Sequence, residues 1–225
     1  MLITIFKLFI ESLKENGLIK TFKKLASFII DSFFDKKYNT DTSSWVETIN
    51  LDVNEQQKKH AEMYQNTHAL PLKKLLKTLP LPNDKILVDL GCGKARVLLV
   101  ASQCGFKEAR GIEFSKNLCE IANNNIKIFK NKTDSNVNFL IINSDVSDHD
   151  FDDDENVFFL FNPFDNYILE KVLHKINESL QRKNRKIWII YRNALYKDSI
   201  EKALPTAKKT EYNYWGQDFV VYELS

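Results

Sequence analysis

The sequence is poor in several residue types, and each shortage excludes something. Six glycines and five prolines in 225 residues are too few for a collagen-like or low-complexity chain. The three cysteines, Cys92, Cys104 and Cys119, form no C-x-x-C pair, which argues against a disulfide framework and a cysteine zinc site. The four histidines (His60, His68, His149, His174) include no H-x-x-x-H spacing, so no metal is expected. Charge of one sign is not in excess: 32 basic against 30 acidic residues give a net +2, unlike the strongly basic domain of a dedicated nucleic-acid binder. No apolar run approaches the ~20 residues of a membrane span, since "MLITIFKLFI" is interrupted by Lys7 and closed by Glu11. That segment also lacks the preceding basic region and small-residue cleavage site of a signal peptide. A cytoplasmic, metal-free protein is the expectation.

Core material is plentiful. Apolar residues make up 44% and charged residues 28%, with Phe 16, Tyr 8 and Trp 3, which rules out a largely disordered chain. Residues 2–34 read as one or two helices. Ile5, Phe6, Leu8, Phe9 and Leu13 recur at helical spacing, as do Leu18, Phe22, Leu25, Phe28 and Ile29, with Asn16-Gly17 as the break. Their polar positions are mostly lysine: Lys7, Lys14, Lys20, Lys23 and Lys24. Such a face packs on the main domain, joins a second copy in a homo-oligomer, or lies on a membrane surface. Residues 35–60 are mostly polar, and "NTDTSSW" holds turn formers; a linker is expected, followed by a helix over 54–64. Residues 1–60 thus form an N-terminal helical extension and linker, and 61–225 the main domain. A helix from Leu70 to Leu79 ends at "PLPND", where two prolines stop it.

From residue 85 strands and helices alternate. "KILVDL" is a short apolar run, read as a buried strand, and 94–104 a helix. A second strand lies at 109–113, and 115–130 form a helix with Leu118, Ile121, Ala122, Ile126 and Phe129 on one face. "NVNFLIIN" and "NVFFLFN" are the third and fourth strands. A helix over 165–180, the strand "RKIWIIYR" and a short helix over 197–204 follow. Residues 206–213 and 218–224 read as strands whose short link "YWGQ" permits only an antiparallel pair. The expected fold is α/β: a doubly wound, mostly parallel sheet with an antiparallel C-terminal hairpin, preceded by the helical extension.

In such sheets ligands bind outside the carboxyl ends of the strands. The first strand runs there into "GCGKAR", where glycines allow close backbone approach. A dinucleotide fingerprint needs a third glycine, but Arg96 occupies that position; a phosphate loop needs Ser or Thr after the lysine, but Ala95 follows Lys94. What remains is an acid followed by G-x-G, namely Asp89, Gly91 and Gly93. Glu113 ends the second strand, where an acid can accept hydrogen bonds from ribose hydroxyls. Asp145 ends or follows the third strand and could reach an adenine amino group. It could equally cap a helix, with Asp148 or Asp150 in the ligand role.

"VDLGCGKAR", "GIEFS", "NSDVSD" and "FLFNPF" resemble, in order and spacing, the motifs of class I S-adenosylmethionine-dependent methyltransferases, over about residues 61–225. That family has a seven-stranded, Rossmann-like sheet with an antiparallel last strand. "FDKKYNTDTSSW" and "MYQNTHALP" look like parts of a bacterial group related to lysine methyltransferase-like enzymes. The resemblance implies S-adenosylmethionine as cofactor. Asp89, Gly91, Cys92 and Gly93 would line its methionine moiety, Glu113 and Phe114 the ribose, and Asp145 and Val146 the adenine. Asn162, Pro163 and Phe164 would flank the transferring methyl, with Asn162 also against the cofactor, and Tyr64 and Thr67 would cover it. The sequence departs from the family at Ala95, which stands for the third loop glycine. It departs again at Asn66, which stands for the proline of a "Y-x-P-T" segment.

"NPF" is a shortened form of the N-P-P-[YF] signature of amino methyltransferases, where the Asn side chain and a carbonyl beside proline accept the substrate N–H groups. Proline restricts the preceding residue, and Phe164 could stack on the target. The same three residues could simply join a strand to a helix capped by Asp165. The function expected is methyl transfer to an amine nitrogen of a protein lysine or a small molecule, in preference to nucleic acid. The alternatives are a non-catalytic cofactor-binding partner, a membrane-surface protein working through residues 1–34, and an RNA methyltransferase.

Overall fold

The computed structural model describes residues 21–22, 26–27, 29–44 and 66–225. The expected helix over 54–64, the Asn16-Gly17 break and Tyr64 lie outside the described residues. Apolar runs without alternation become central strands, since both faces of a central strand are covered. So β1 (Ile86–Leu90), β4 (Val157–Leu160) and β5 (Ile187–Arg192) are buried at every position. β2 (Glu108–Glu113) is buried but for its first residue. β3 (Asn138–Asn143) alternates toward solvent and lies at one edge. The hairpin of β6 (Lys208–Tyr214) and β7 (Gln217–Leu224) closes the other.

The seven strands run in the order β3-β2-β1-β4-β5-β7-β6. All pairs are parallel except β5 with β7 and β6 with β7. The hairpin turns at Trp215 and Gly216, both at positive φ, 54° and 73°, as a two-residue turn that follows the strand twist requires. The strand order reverses between β1 and β4, so a crevice opens at their carboxyl ends.

Helices cover both faces. One core joins the helix over 29–38 (α1), α2 (Ala69–Thr78), α3 (Arg96–Ser102) and α4 (Lys116–Thr133) to Leu87, Ala109, Phe159, Trp188 and Ile190. The other joins α5 (Asn166–Arg182) and α6 (Lys197–Ala203) to Val88, Ile112, Phe158, Ile189 and Tyr191. Ser115 caps α4 by accepting from the Leu118 N–H, and Asp165 caps α5 by accepting from the Ile168 N–H.

The expected linker departs most from its sequence reading. α1 continues to residue 38 because Tyr38 packs on Phe34 and Phe129, with ring centroids 4.9 and 4.8 Å apart. Asn39, at φ 58°, then ends the helix. Residues 40–44 form a strap folded around Asp35. One carboxylate oxygen of Asp35 accepts from the Thr40 hydroxyl and from the Thr42 N–H and hydroxyl, and the other accepts from Ser43. Polar residues that read as linker are therefore consumed in hydrogen bonds to the domain.

Candidate functional site

The β1–α3 loop carries the first candidates. Gly91 sits at φ 80° and Gly93 at φ 51°, conformations open to glycine at little cost. The N–H groups of Gly91 and Cys92 both reach the Ile112 carbonyl, at 2.9 and 3.0 Å, so the loop stays attached to β2. Cys92 points its thiol back at β2, and a Cβ on Gly111 would meet that sulfur at 2.5 Å. The thiol is buried, and burial with the charges of Glu113 and Asp89 raises its pKa well above the usual thiol value. It is a filler between loop and strand. Ala95, at the family's third glycine, is fully buried at φ 71° and precedes α3 as its N-cap.

Two acids converge behind this loop. Asp89 is 3% and Glu113 4% exposed. Glu113 accepts the Gly93 N–H on one oxygen and the Ser115 N–H on the other, each at 3.0 Å, which ties the glycine loop to the start of α4. Asp89 is surrounded differently. Burial first, and the nearby Glu113 charge second, raise its pKa well above the ordinary value.

The loop's cations are turned to the opposite side. Lys94 Nζ, on a side chain 1% exposed, pairs with Asp41 at 3.0 Å and donates to the Ser44 carbonyl and hydroxyl. Arg96 pairs with Asp31 at 2.6 Å and with Asp35 at 3.1 Å, and its Nε donates to the Thr42 hydroxyl. Asn125 of α4 completes the clamp: its amide accepts from the Asp41 N–H and donates to the Asp41 and Lys94 carbonyls. Asp41 of the strap thus neutralises Lys94, and Asp31 and Asp35 of α1 neutralise Arg96. A ligand carrying positive charge fits beside a buried carboxylate such as Asp89, because it offsets what that burial costs. S-adenosylmethionine, with an ammonium and a sulfonium, meets that requirement.

Across the crevice, β4 leads into Phe161-Asn162-Pro163-Phe164. Asn162 adopts φ 44°, and its amide is held at both ends. Its nitrogen donates to the Asn193 carbonyl at 2.8 Å, and its oxygen accepts from the Tyr191 hydroxyl at 2.6 Å. Burial raises the Tyr191 pKa to about 12, so its proton stays in place at neutral pH. Tyr191 and Asn193, which their place at the end of the fifth strand already set at the expected cleft, are the residues that hold Asn162. Pro163 packs directly on Gly91. Phe164 is 7% exposed and belongs to the α5 core, so its ring is committed to packing.

Asp145 lies in the turn after β3, where one carboxylate oxygen accepts from the Ser147 N–H at 2.9 Å and the Ser147 hydroxyl at 2.8 Å. Val146 is buried. Phe114 is half-buried, and its carbonyl accepts from Asn143, which also donates to the Glu113 carbonyl. Thr67 is buried in the segment before α2. Its neighbour Asn66 offers its carbonyl to Arg192 Nη1 at 3.1 Å. The Arg192 guanidinium lies 3.8 Å from the Phe161 ring centroid, and burial lowers its pKa to about 10.

The charged stretches lie mostly elsewhere. Asp152 and Glu155 of "DHDFDDDEN" pair with Arg110 at 2.8 Å, and Asp153 with Arg182. The Glu155 carbonyl accepts from Arg185 Nε. The N–H groups of Asp148 and His149 donate to the carbonyls of Asp145 and Val146 in the turn after β3, whereas the later residues of the stretch lead into β4 at the amino ends of the strands. "FKNK" at the end of α4 and "QRKNRK" before β5 lie at that same end. Among the described residues no cluster of His, Cys, Asp or Glu could hold a metal, and no helix is long and apolar enough to cross a membrane.

The sequence model of the family described as histone methylation protein DOT1 matches residues 43–200. A comparison with curated proteins gives no match. Three solved structures share the fold. A putative RNA methyltransferase from Pyrococcus horikoshii superposes with a TM-score of 0.54 at 18% identity, over 84% of this chain and 95% of that one. A SAM-dependent methyltransferase from Aquifex aeolicus gives 0.53 at 13% identity, over 68% and 88%. The methyltransferase domain of bacterial CtHen1-CN gives 0.53 at 14% identity, over 71% and 100%. The family match spans more than half of the chain, and on that ground the chain belongs to the DOT1 histone methylation protein family and is a methyltransferase with S-adenosylmethionine as its cofactor.

Proposed function

We propose that the chain methylates an amine nitrogen, with a protein lysine as the foremost candidate acceptor, in the crevice between β1 and β4. The observation that carries the reading is the charge arrangement of the glycine loop. Two buried carboxylates, Asp89 and Glu113, stand at the crevice, while Lys94 is paired with Asp41 and Arg96 with Asp31 and Asp35. On this reading Asp89, Gly91 and Gly93 hold the methionine portion, Cys92 contributes only its backbone, Glu113 and Phe114 hold the ribose, and Asp145 and Val146 the adenine. Thr67 and Tyr64 close over it.

When bound, the cofactor supplies a methyl on an already activated leaving group. The protein's task is then proximity and alignment, worth up to roughly 7–11 kcal/mol in well-oriented systems. Asn162 is suited to alignment, since its amide oxygen receives Tyr191 on one lone pair and keeps the second for an acceptor N–H. Pro163 packs against Gly91 at this point, and Phe164 anchors the segment from the core. The family description, histone methylation, supports a lysine-bearing acceptor.

The test is calorimetric titration of the full chain with S-adenosylmethionine and S-adenosylhomocysteine, for the native protein and Glu113→Ala. Radiolabelled methyl transfer to lysine-containing proteins and to RNA follows. Saturable binding weakened by the substitution, with label in protein, is the expected result. Absence of binding to both ligands would overturn the site, and label only in RNA would overturn the acceptor.

A further inference from the structure

The N-terminal helix is amphipathic in the wrong sense for a core helix. Its inward side carries Thr21, Ser27 and Asp31, each no more than 5% exposed, beside Phe34 and Tyr38. Those polar groups are engaged: Ser27 Oγ lies 2.9 Å from His68 Nδ1, and Asp31 pairs with Arg96 and accepts the Ala69 N–H at 2.7 Å. The outward side carries Phe22, Ile29, Ile30 and Phe33 at 63%, 49%, 44% and 57% exposure. These are half of the large exposed apolar side chains among the described residues, gathered on one stripe at helical spacing. Rolling the helix to bury the stripe would withdraw Asp31 from Arg96, so the orientation is fixed by ion pairing.

Charge indicates what the stripe meets. From Lys20 to Lys37 the sequence holds Lys20, Lys23, Lys24, Lys36 and Lys37 against only Asp31 and Asp35. Both acids are turned inward to Arg96, whereas Lys36 and Lys37 are exposed at the end of the stripe. Of the charged side chains described between residues 29 and 38, Lys36 and Lys37 are thus the ones exposed with the stripe, and both are positive. Pairing with a second copy would set like charges against each other. An anionic bilayer surface offers an apolar phase beneath a layer of negative headgroups, complementary to both features.

We infer that the stripe of Phe22, Ile29, Ile30 and Phe33 docks the protein on an anionic lipid surface, lying in the interface without crossing it. The site at β1 and β4 plays no part in this inference.

The test is sedimentation of the full chain with vesicles of phosphatidylcholine alone and of an equal mixture with phosphatidylglycerol. Four forms are compared: native, Ile29→Ser/Ile30→Ser/Phe33→Ser, Lys36→Glu/Lys37→Glu, and a control, Leu195→Ser, which removes an exposed apolar residue elsewhere. Circular dichroism and the S-adenosylmethionine titration verify that each variant is folded. The expected result is binding of native and control protein to the mixed vesicles only, with loss of about tenfold or more in the triple variant. The Lys36→Glu/Lys37→Glu variant should also weaken binding. Absence of native binding to the mixed vesicles would overturn the inference, as would equal binding by the triple variant. So would a vesicle-free dimer that the triple substitution dissociates, which would assign the stripe to a second copy.

Discussion

Gly91 and Pro163, from loops on opposite sides of the crevice, are packed so closely that a Cβ on Gly91 would fall 2.4 Å from the Pro163 Cβ. The glycine loop and the N-P-F segment are thus one packed unit. Gly91→Ala should destabilise the protein by roughly 3 kcal/mol, combining a left-handed alanine with overpacking. Adding Pro163→Gly removes the atom that collides and should recover the overpacking part while leaving the backbone part. A double-mutant cycle by urea unfolding measures this; strictly additive effects would show that the two residues do not meet.

Much of the architecture was legible because the central strands are short apolar runs set between amphipathic helices. Hairpin, helix order and the parallel body of the sheet all follow from that pattern. The acid, two glycines and second acid likewise located the loop at the carboxyl end of β1. The strap was illegible for a physical reason. Thr40, Thr42, Ser43 and Ser44 have the composition of a linker, and Asp35 nearby together with the long-range partners Lys94 and Arg96 turns them into structure. Asn162 and Phe164 show the same limit: adjacency suggested a shared role, but Phe164 faces the α5 core while Asn162 is held by Tyr191 and Asn193.

Asp89 is costly to bury in the cofactor-free protein. Its pKa is raised in the folded state, so the folded protein retains a proton that the unfolded chain has lost. This group therefore makes stability fall as pH rises from the ordinary aspartate range toward the raised value. Asp89→Asn should flatten that slope and raise Tm at neutral pH by several degrees, 1 kcal/mol being worth roughly 2–4 °C at this size. The same change should weaken S-adenosylmethionine binding. Thermal melts across pH, with and without cofactor, check both. A lower Tm for the variant at neutral pH would refute the argument.

The two clamped cations should differ in worth. Arg96→Met strands Asp31 and Asp35, whose side chains are 6% and 16% exposed, and should cost about 3–5 kcal/mol. Lys94→Met strands Asp41, which is 55% exposed and can be hydrated, so about 1 kcal/mol is expected. Acid should act on the same strap. Burial opposes ionisation of Asp35, but hydrogen bonds from Ser43, Thr42 and Thr40 and the Arg96 charge outweigh it and lower the pKa. Its contribution is complete above the ordinary aspartate range and is lost as pH falls through the depressed value. Denaturant titrations of both variants at neutral and acidic pH test the order.

Glu113 has two duties that one substitution can separate. Both its oxygens already accept backbone N–H groups, from Gly93 and Ser115. Glu113→Gln keeps the volume and one acceptor oxygen but sets an amide NH2 against the other N–H, and should cost about 2 kcal/mol of stability. If the carboxylate also holds the ribose, the loss of cofactor affinity should exceed what unfolding accounts for. Titration at a temperature where the variant is wholly folded isolates that part. An unchanged Kd there would leave Glu113 as a brace for the glycine loop alone, because a ribose partner cannot exchange a charged acceptor for an amide without changing how tightly the ligand is held.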